Sequence, residues 1–170
     1  MQTISLLGYL KNVRNVGGPH LVIVPKSTLA NWHKEFRRWC PSLSTFLLHG
    51  AKAERAGQRE RLMATEFDVL ITTYEIAIIE KAALKKYRWR YLIIDEAHRI
   101  KNENSILSRV VRMYSSNHRL LVTGTPLQNS LRELWSLLTF LHPRKFPSLA
   151  DFEYRYVGLD TEESQNKIKD

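Results

Sequence analysis

Tyr91-Leu92-Ile93-Ile94-Asp95-Glu96-Ala97-His98 decides how the rest of this sequence folds. Four residues without a charge, two of them β-branched, are too short a run for a helix and read as a strand buried on both faces. Four more such runs surround it: Leu21-Val22-Ile23-Val24, stopped by Pro25; Thr45-Phe46-Leu47-Leu48, turned by Gly50; Asp68-Val69-Leu70-Ile71-Thr72-Thr73; and Leu120-Leu121-Val122. Helical patterns lie between them. Leu29, Trp32, Phe36 and Trp39 recur at helical spacing from a Ser27 or Thr28 cap up to Pro41. Lys52 to Met63 is a polar, Arg-rich helix, and Glu75 to Lys86 is another. Ser130-x-x-Glu133 has the form of a capping box opening an apolar helix from Leu134 to Leu141. Strand alternating with helix in this way specifies an α/β fold: parallel βαβ units with helices on both faces of one sheet.

The chain has 170 residues and a mass of 19.9 kDa, enough for one domain or a piece of something larger. Hydrophobic residues make up 44% and charged residues 25%, which excludes a disordered tail. No apolar run approaches the roughly 18–20 residues of a membrane span. A single cysteine, Cys40, allows neither an internal disulfide nor a zinc cluster, as expected in a reducing compartment such as cytosol or nucleus. The first ten residues have no basic leader and no small-residue cleavage site, so no secretory signal is expected.

The net charge is +9, and it is uneven. Residues 26–62 carry eight basic and three acidic side chains, residues 85–119 nine and three, and residues 151–170 three and six. Two positive blocks suit a polyanion such as nucleic acid, although basic helices facing water give the same count.

In a sheet of this type, functional residues sit just past the carboxyl ends of the strands. Lys26-Ser27-Thr28, Thr72-Thr73-Tyr74-Glu75, Asp95-Glu96-Ala97-His98 and Thr123-Gly124-Thr125-Pro126 all occupy that position. An apolar strand closed by two carboxylates has the form of a Walker B element. Mg²⁺ wants hard oxygen ligands, so Asp95 can hold it against nucleotide phosphates. Glu96, pointing elsewhere, can orient and deprotonate a water. The alternative is an acidic pair favoured by the dipole of a following helix. Lys26, Ser27 and Thr28 suit phosphate oxygens through an ammonium, hydroxyls and helix-start amides, and serve equally as a helix cap. Trp32, Trp39 and Trp135 fall on apolar stripes and are expected in the core rather than as base-stacking platforms. Arg55, Arg59 and Arg61 face either DNA or water.

Asp95-Glu96-Ala97-His98 followed by Thr123-Gly124-Thr125-Pro126 resembles motifs II and III of the DEAH-box, helicase-like superfamily 2 ATPases. The longer stretches Val24-Pro25-Lys26-Ser27-Thr28-Leu29-x-x-Trp32, Ile94 to Asn102 and Thr123 to Asn129 resemble the Swi/Snf-type chromatin-remodelling translocases. Gly18 to Leu29, Trp89-Arg90-Tyr91 and Lys101-Asn102-Glu103-Asn104-Ser105 are most similar to the ISWI (imitation switch) branch, while residues 146–163 look closer to the CHD branch. The resemblance implies a RecA-like (P-loop NTPase) first lobe over residues 1–145, with residues 146–170 starting a helical linker to a second lobe. It implies ATP and Mg²⁺ in the complete motor, duplex DNA and nucleosomes as partners beside remodelling subunits, no membrane, and a nuclear location. In that frame Asp95 coordinates the metal and Glu96 acts on the hydrolytic water. His98 links the nucleotide site to Thr123, Gly124 and Thr125, which sense its state. Lys26, Ser27, Thr28, Thr72, Thr73 and Tyr74 grip a DNA strand.

No Gly-x-x-x-x-Gly-Lys-[Ser/Thr] occurs in the chain. The family places that phosphate loop immediately before Gln2-Thr3-Ile4, so the lobe is expected to be truncated at its N-terminus. Residues 1–9 are then the rest of the phosphate-loop helix, an internal strand is missing, and the chain alone does not hydrolyse ATP at a useful rate. Two other functions share the fold: a non-catalytic module that binds DNA or a partner through its basic blocks, and a strand-separating DEAH-type helicase lobe.

Overall fold

The computed structural model describes residues 1–124 and 131–156. Five strands, β1 (His20–Val24), β2 (Thr45–Leu48), β3 (Val69–Thr73), β4 (Trp89–Ile94) and β5 (Ser116–Leu121), form one sheet in the order β2-β3-β1-β4-β5. Every pairing is parallel. Within each strand, successive side chains serve opposite faces. Leu21, Ile23, Leu70, Leu92 and Ile94 enter one core, while Val22, Val24, Val69, Ile71 and Ile93 enter the other. Each such aliphatic side chain, fully buried, stabilises the fold by about 1.5–3 kcal/mol.

Helices α1 (Gln2–Asn12) and α2 (Leu29–Trp39) cover the second core with Ile4, Leu7, Leu29 and Phe36. The first core is covered by α3 (Lys52–Ala64), α4 (Tyr74–Ile79), α5 (Lys81–Leu84), α6 (Ile106–Arg112) and α7 (Leu131–Leu141). Helix α8 (Leu149–Tyr156) folds back against α7 through Phe152, whose ring lies 5.9 Å from that of Phe146. The expected α/β sheet with helices on both faces is therefore present, and it is a RecA-like arrangement. Among the described residues β5 pairs with β4 alone and forms one edge of the sheet, as β2 forms the other.

Some expectations need correction. The single helix from Glu75 to Lys86 is two helices broken at Glu80, which turns its carboxylate inward to Arg55. Trp39 is 49% exposed rather than core; its indole N–H donates to Glu35 at 2.6 Å, and Arg38 lies over the ring at 5.0 Å. Arg55 is buried in that ion pair, Arg59 reaches the same carboxylate from a half-exposed position, and Arg61 is exposed. β5 begins at Ser116, well before Leu120, and α6 forms where the sequence pattern predicts no helix. Thr125, the capping residue Ser130 and the tail from 157 to 170 lie outside the described residues.

Candidate functional site

The strand order reverses between β1 and β4. After β1 the chain runs to one side through β2 and β3, then returns to the other with β4 and β5. The crevice beyond the carboxyl ends of β1 and β4 is where α/β sheets of this kind bind ligands. β1 delivers Pro25 and Lys26 there, and β4 delivers Asp95 and Glu96.

Asp95 is held on all sides. Its N–H donates to the Ile23 carbonyl at 2.9 Å, extending the sheet by one rung. Its carboxylate accepts the Trp32 indole N–H on Oδ2 at 2.8 Å and the Glu96 N–H on Oδ1 at 3.0 Å. Its carbonyl accepts the Tyr74 hydroxyl at 2.6 Å. Each carboxylate oxygen thus keeps a free lone pair. Among the described residues no three His, Cys, Asp or Glu side chains converge where they could hold a metal. A divalent cation held here would have one protein carboxylate and would take its other oxygens from water and phosphate, which is how Mg²⁺ binds in nucleotide sites. The donor set fits Mg²⁺ on those terms.

Glu96 has φ 48° and ψ 58°, the left-handed conformation. That turn ends β4 abruptly and swings the carboxylate outward, 45% exposed, away from Asp95's partners. His98 Nδ1 lies 3.2 Å from Glu96 Oε2. Behind them, Ala97 N–H donates to the Val122 carbonyl and Val122 N–H to the Ile94 carbonyl, both at 2.9 Å. These main-chain bonds set Thr123 and Gly124, just past β5, beside the acidic turn. The segment after β4 is also tied to α7. Lys101 pairs with Glu133 at 2.9 Å, Arg132 with Glu103 at 2.7 Å, and the Ser136 hydroxyl donates to the Ile100 carbonyl at 3.2 Å.

The remaining candidates divide by exposure. Lys26 and Ser27 are exposed, and Thr28 is half-buried with its hydroxyl donating back to the Pro25 carbonyl at 3.1 Å, so the expected side-chain cap of α2 is not made. Thr72 and Thr73 are buried. The Thr72 hydroxyl donates to the Leu48 carbonyl at 2.8 Å, and Thr73 caps α4 by accepting the Ile76 N–H at 3.3 Å. Tyr74 is buried too, with Arg99 over its ring at 5.4 Å, and burial together with the Asp95 charge holds its phenol well above the ordinary range. These three side chains therefore work within the protein. Lys26 and Thr73 nevertheless share the wall of one cleft of about 550 Å³ with His49, Gly50 and Glu75.

Trp32 packs against the core as its apolar stripe predicts, and it is also a residue of the site. It lies on the apolar stripe of α2 with its ring 6.0 Å from Phe36, and its polar end reaches the Asp95 carboxylate. The available signal was chemical: a half-buried indole N–H needs an acceptor, and the stripe aims it at the sheet's carboxyl edge.

Residues 1–169 match the model of the SNF2-related domain. The chain is 54% identical over 169 residues to the ISWI chromatin-remodeling complex ATPase ISW1 of Saccharomyces cerevisiae, covering 99% of this chain and 15% of the relative. It is 58% identical over 154 residues to the human SWI/SNF-related matrix-associated actin-dependent regulator of chromatin subfamily A member 1, covering 90% and 15%. The match to the yeast protein takes in nearly all of the tail. Among solved structures, the Sulfolobus solfataricus SWI2/SNF2 ATPase core in complex with dsDNA superposes with a TM-score of 0.78 at 29% identity, over 99% of this chain and 35% of that one.

Proposed function

The chain belongs to the SNF2-related domain family, and from that premise we propose that it is the first ATPase lobe of a nuclear, ISWI-type chromatin remodeller that couples ATP hydrolysis to movement along the duplex DNA of nucleosomes. The chain spans about 15% of the length of the curated relatives it matches, so the activity belongs to a larger motor with a second lobe and remodelling subunits. Residues from 146 onward lead towards that lobe. The observation that carries the reading is the acidic turn itself. Asp95 is fixed by four hydrogen bonds at the switch point of the sheet, and Glu96 is thrown outward by a left-handed backbone.

In this reading Asp95 holds Mg²⁺, which when bound neutralises charge on the nucleotide phosphates. Glu96 orients a water and takes its proton. His98, beside Glu96, limits where that carboxylate can swing and forms the side of the site nearest Thr123 and Gly124. Lys26 and the exposed start of α2 meet DNA phosphates by charge and backbone amides, which carry no sequence preference. Thr72, Thr73 and Tyr74 shape that surface from within; the main chain and cleft wall they hold, rather than their hydroxyls, meet the strand.

The test is DNA-stimulated ATP hydrolysis by the full-length protein carrying this lobe. Glu96→Gln is expected to cut turnover by about 10²–10⁴-fold, the usual contribution of a general base, with nucleotide binding retained. Residues 1–170 alone, lacking the phosphate-cradling motif, are expected to show no turnover above the Glu96→Gln variant. Wild-type rates in the full-length variant would defeat the assignment.

A further inference from the structure

The two segments assigned above to the DNA surface each send one aromatic donor to the same residue. Trp32 stands one turn into α2, the helix that follows Lys26-Ser27-Thr28, and its indole N–H ends on Asp95 Oδ2 at 2.8 Å. Tyr74 directly follows Thr72-Thr73 at the first position of α4, and its hydroxyl ends on the Asp95 carbonyl at 2.6 Å. They come from 63 and 21 residues away in sequence. The Asp95 N–H is bonded to Ile23 in β1, the strand that leads into Lys26. Three of the four bonds on Asp95 therefore come from the β1–α2 and β3–α4 units, and only the Glu96 N–H is local.

Packing does not require these polar ends. A phenylalanine at 32 would keep the ring against Phe36, and one at 74 would keep the face under Arg99. What the indole N–H and the phenol add is an address, and both carry the same one.

We infer that Trp32 and Tyr74 are positioning residues that tie the orientation of Asp95 to the seating of the two strand-end segments, so that DNA settling on those segments is felt at the metal-holding carboxylate. This rests on the proposed DNA contact at Lys26. A hydrogen bond tolerates only a few tenths of an ångström before it weakens. When the start of α2 shifts, the carboxylate must turn with the indole or lose it, and either event changes the oxygen presented to the cation. Tyr74 fixes the pivot by holding the main chain from the other side, its hydroxyl donating to the Asp95 carbonyl.

Four tryptophans give four indole N–H resonances in a ¹⁵N spectrum of the 170-residue chain, and Trp32→Phe assigns one of them. Asp95→Ala should move that resonance upfield and leave the other three in place. Reciprocally, Trp32→Phe and Tyr74→Phe should each shift the Glu96 amide, which guards against a variant that fails to fold. Adding a short mixed-sequence duplex should move the Trp32 indole, and Lys26→Ala should suppress that movement. An indole indifferent to Asp95→Ala, with a Glu96 amide indifferent to Trp32→Phe, removes the contact and overturns the inference whatever DNA does. A duplex that binds, by fluorescence anisotropy, and leaves the indole unmoved overturns the coupling while the DNA surface stands. A duplex that does not bind at all defeats the DNA reading first and the coupling with it.

Discussion

Glu96 occupies a backbone conformation that costs an ordinary residue about 1–2 kcal/mol and costs Asn much less. The strain is stored at the residue whose carboxylate must leave the strand direction, the pattern expected where function sets geometry. Glu96→Gln and Glu96→Asn both remove the carboxylate, but only Asn relieves the backbone. Glu96→Asn is expected to be more stable than Glu96→Gln by about 1 kcal/mol, read as a higher midpoint in urea unfolding; equal midpoints would mean that the turn is unstrained. His20 makes a second residue-level case. It is fully buried at the start of β1, and neither ring nitrogen has a partner. Burial lowers its pKa from 6.5 to about 4, with Asp68 opposing and Arg90 assisting. The unfolded chain thus binds a proton below 6.5 that the folded chain refuses until about 4. Stability should fall across that window by up to roughly 3 kcal/mol, and His20→Phe should flatten the decline. The acidic pair was legible in the sequence because Asp95, Glu96 and His98 are neighbours after an apolar run. His20's isolation was not legible, since it depends on residues brought together by the sheet order; the Trp32 indole's need for an acceptor was, but which carboxylate meets it is set by that same order.

The break between α4 and α5 shows what decides an element when propensity is neutral. Glu75 to Lys86 has the composition of one helix, yet Glu80 leaves helical geometry at φ −92° and ψ 20°. Its carboxylate meets Arg55 Nε at 2.8 Å and Arg59 at 3.1 Å, while Arg55 also donates to the Gly50 carbonyl at 2.5 Å. One buried pair thereby joins α3, the turn after β2 and the α4–α5 junction. Burial opposes the charge on Glu80, but the two guanidiniums outweigh it and hold its pKa below the ordinary carboxylate value of 4.5. The contribution is complete above that value and is lost as pH falls through the lower folded one. Glu80→Gln leaves Arg55 charged, buried and short of its partner, and is expected to cost about 3 kcal/mol in chemical denaturation. Replacing both members, Arg55→Met with Glu80→Leu, should recover most of that loss; failure to recover would show that the pair specifies the junction as well as stabilising it. Strand positions and the α2 stripe were readable because apolar period reports burial directly. This junction was not, because a buried ion pair leaves no periodic trace.

At the scale of the whole molecule, the sequence's positive blocks overstate the charge available to DNA. Within those blocks Arg55 and Arg59 are taken by Glu80 and Lys101 by Glu133; outside them Lys11 is taken by Asp68 and Arg132 by Glu103. Arg112 and Arg119 are half-buried around the Phe140 ring, with N–H groups committed to the Ser136 and Phe140 carbonyls. The fold, rather than the count, decides which cations face a polyanion, and at the carboxyl edge of the sheet Lys26 is exposed beside the α2 start and the 550 Å³ cleft. Each phosphate neutralised by such a cation releases counterions, so affinity for duplex DNA falls with salt at a logarithmic slope of about 0.9 per contact. Removing one contact should therefore change the slope as well as the affinity. Lys26→Ala is expected to lower the slope by about 1 in a salt series of anisotropy titrations on a duplex of any sequence. Arg144→Ala is the matched control. It follows α7 next to Pro143, which lines a recess with Ser116 and Asn117 at the amino end of β5, so it stands at the opposite edge of the sheet. Its slope should match that of the unmodified chain. If Arg144→Ala changed the slope and Lys26→Ala did not, DNA would lie across the amino edge, and the acidic turn would face away from the strand it is proposed to serve.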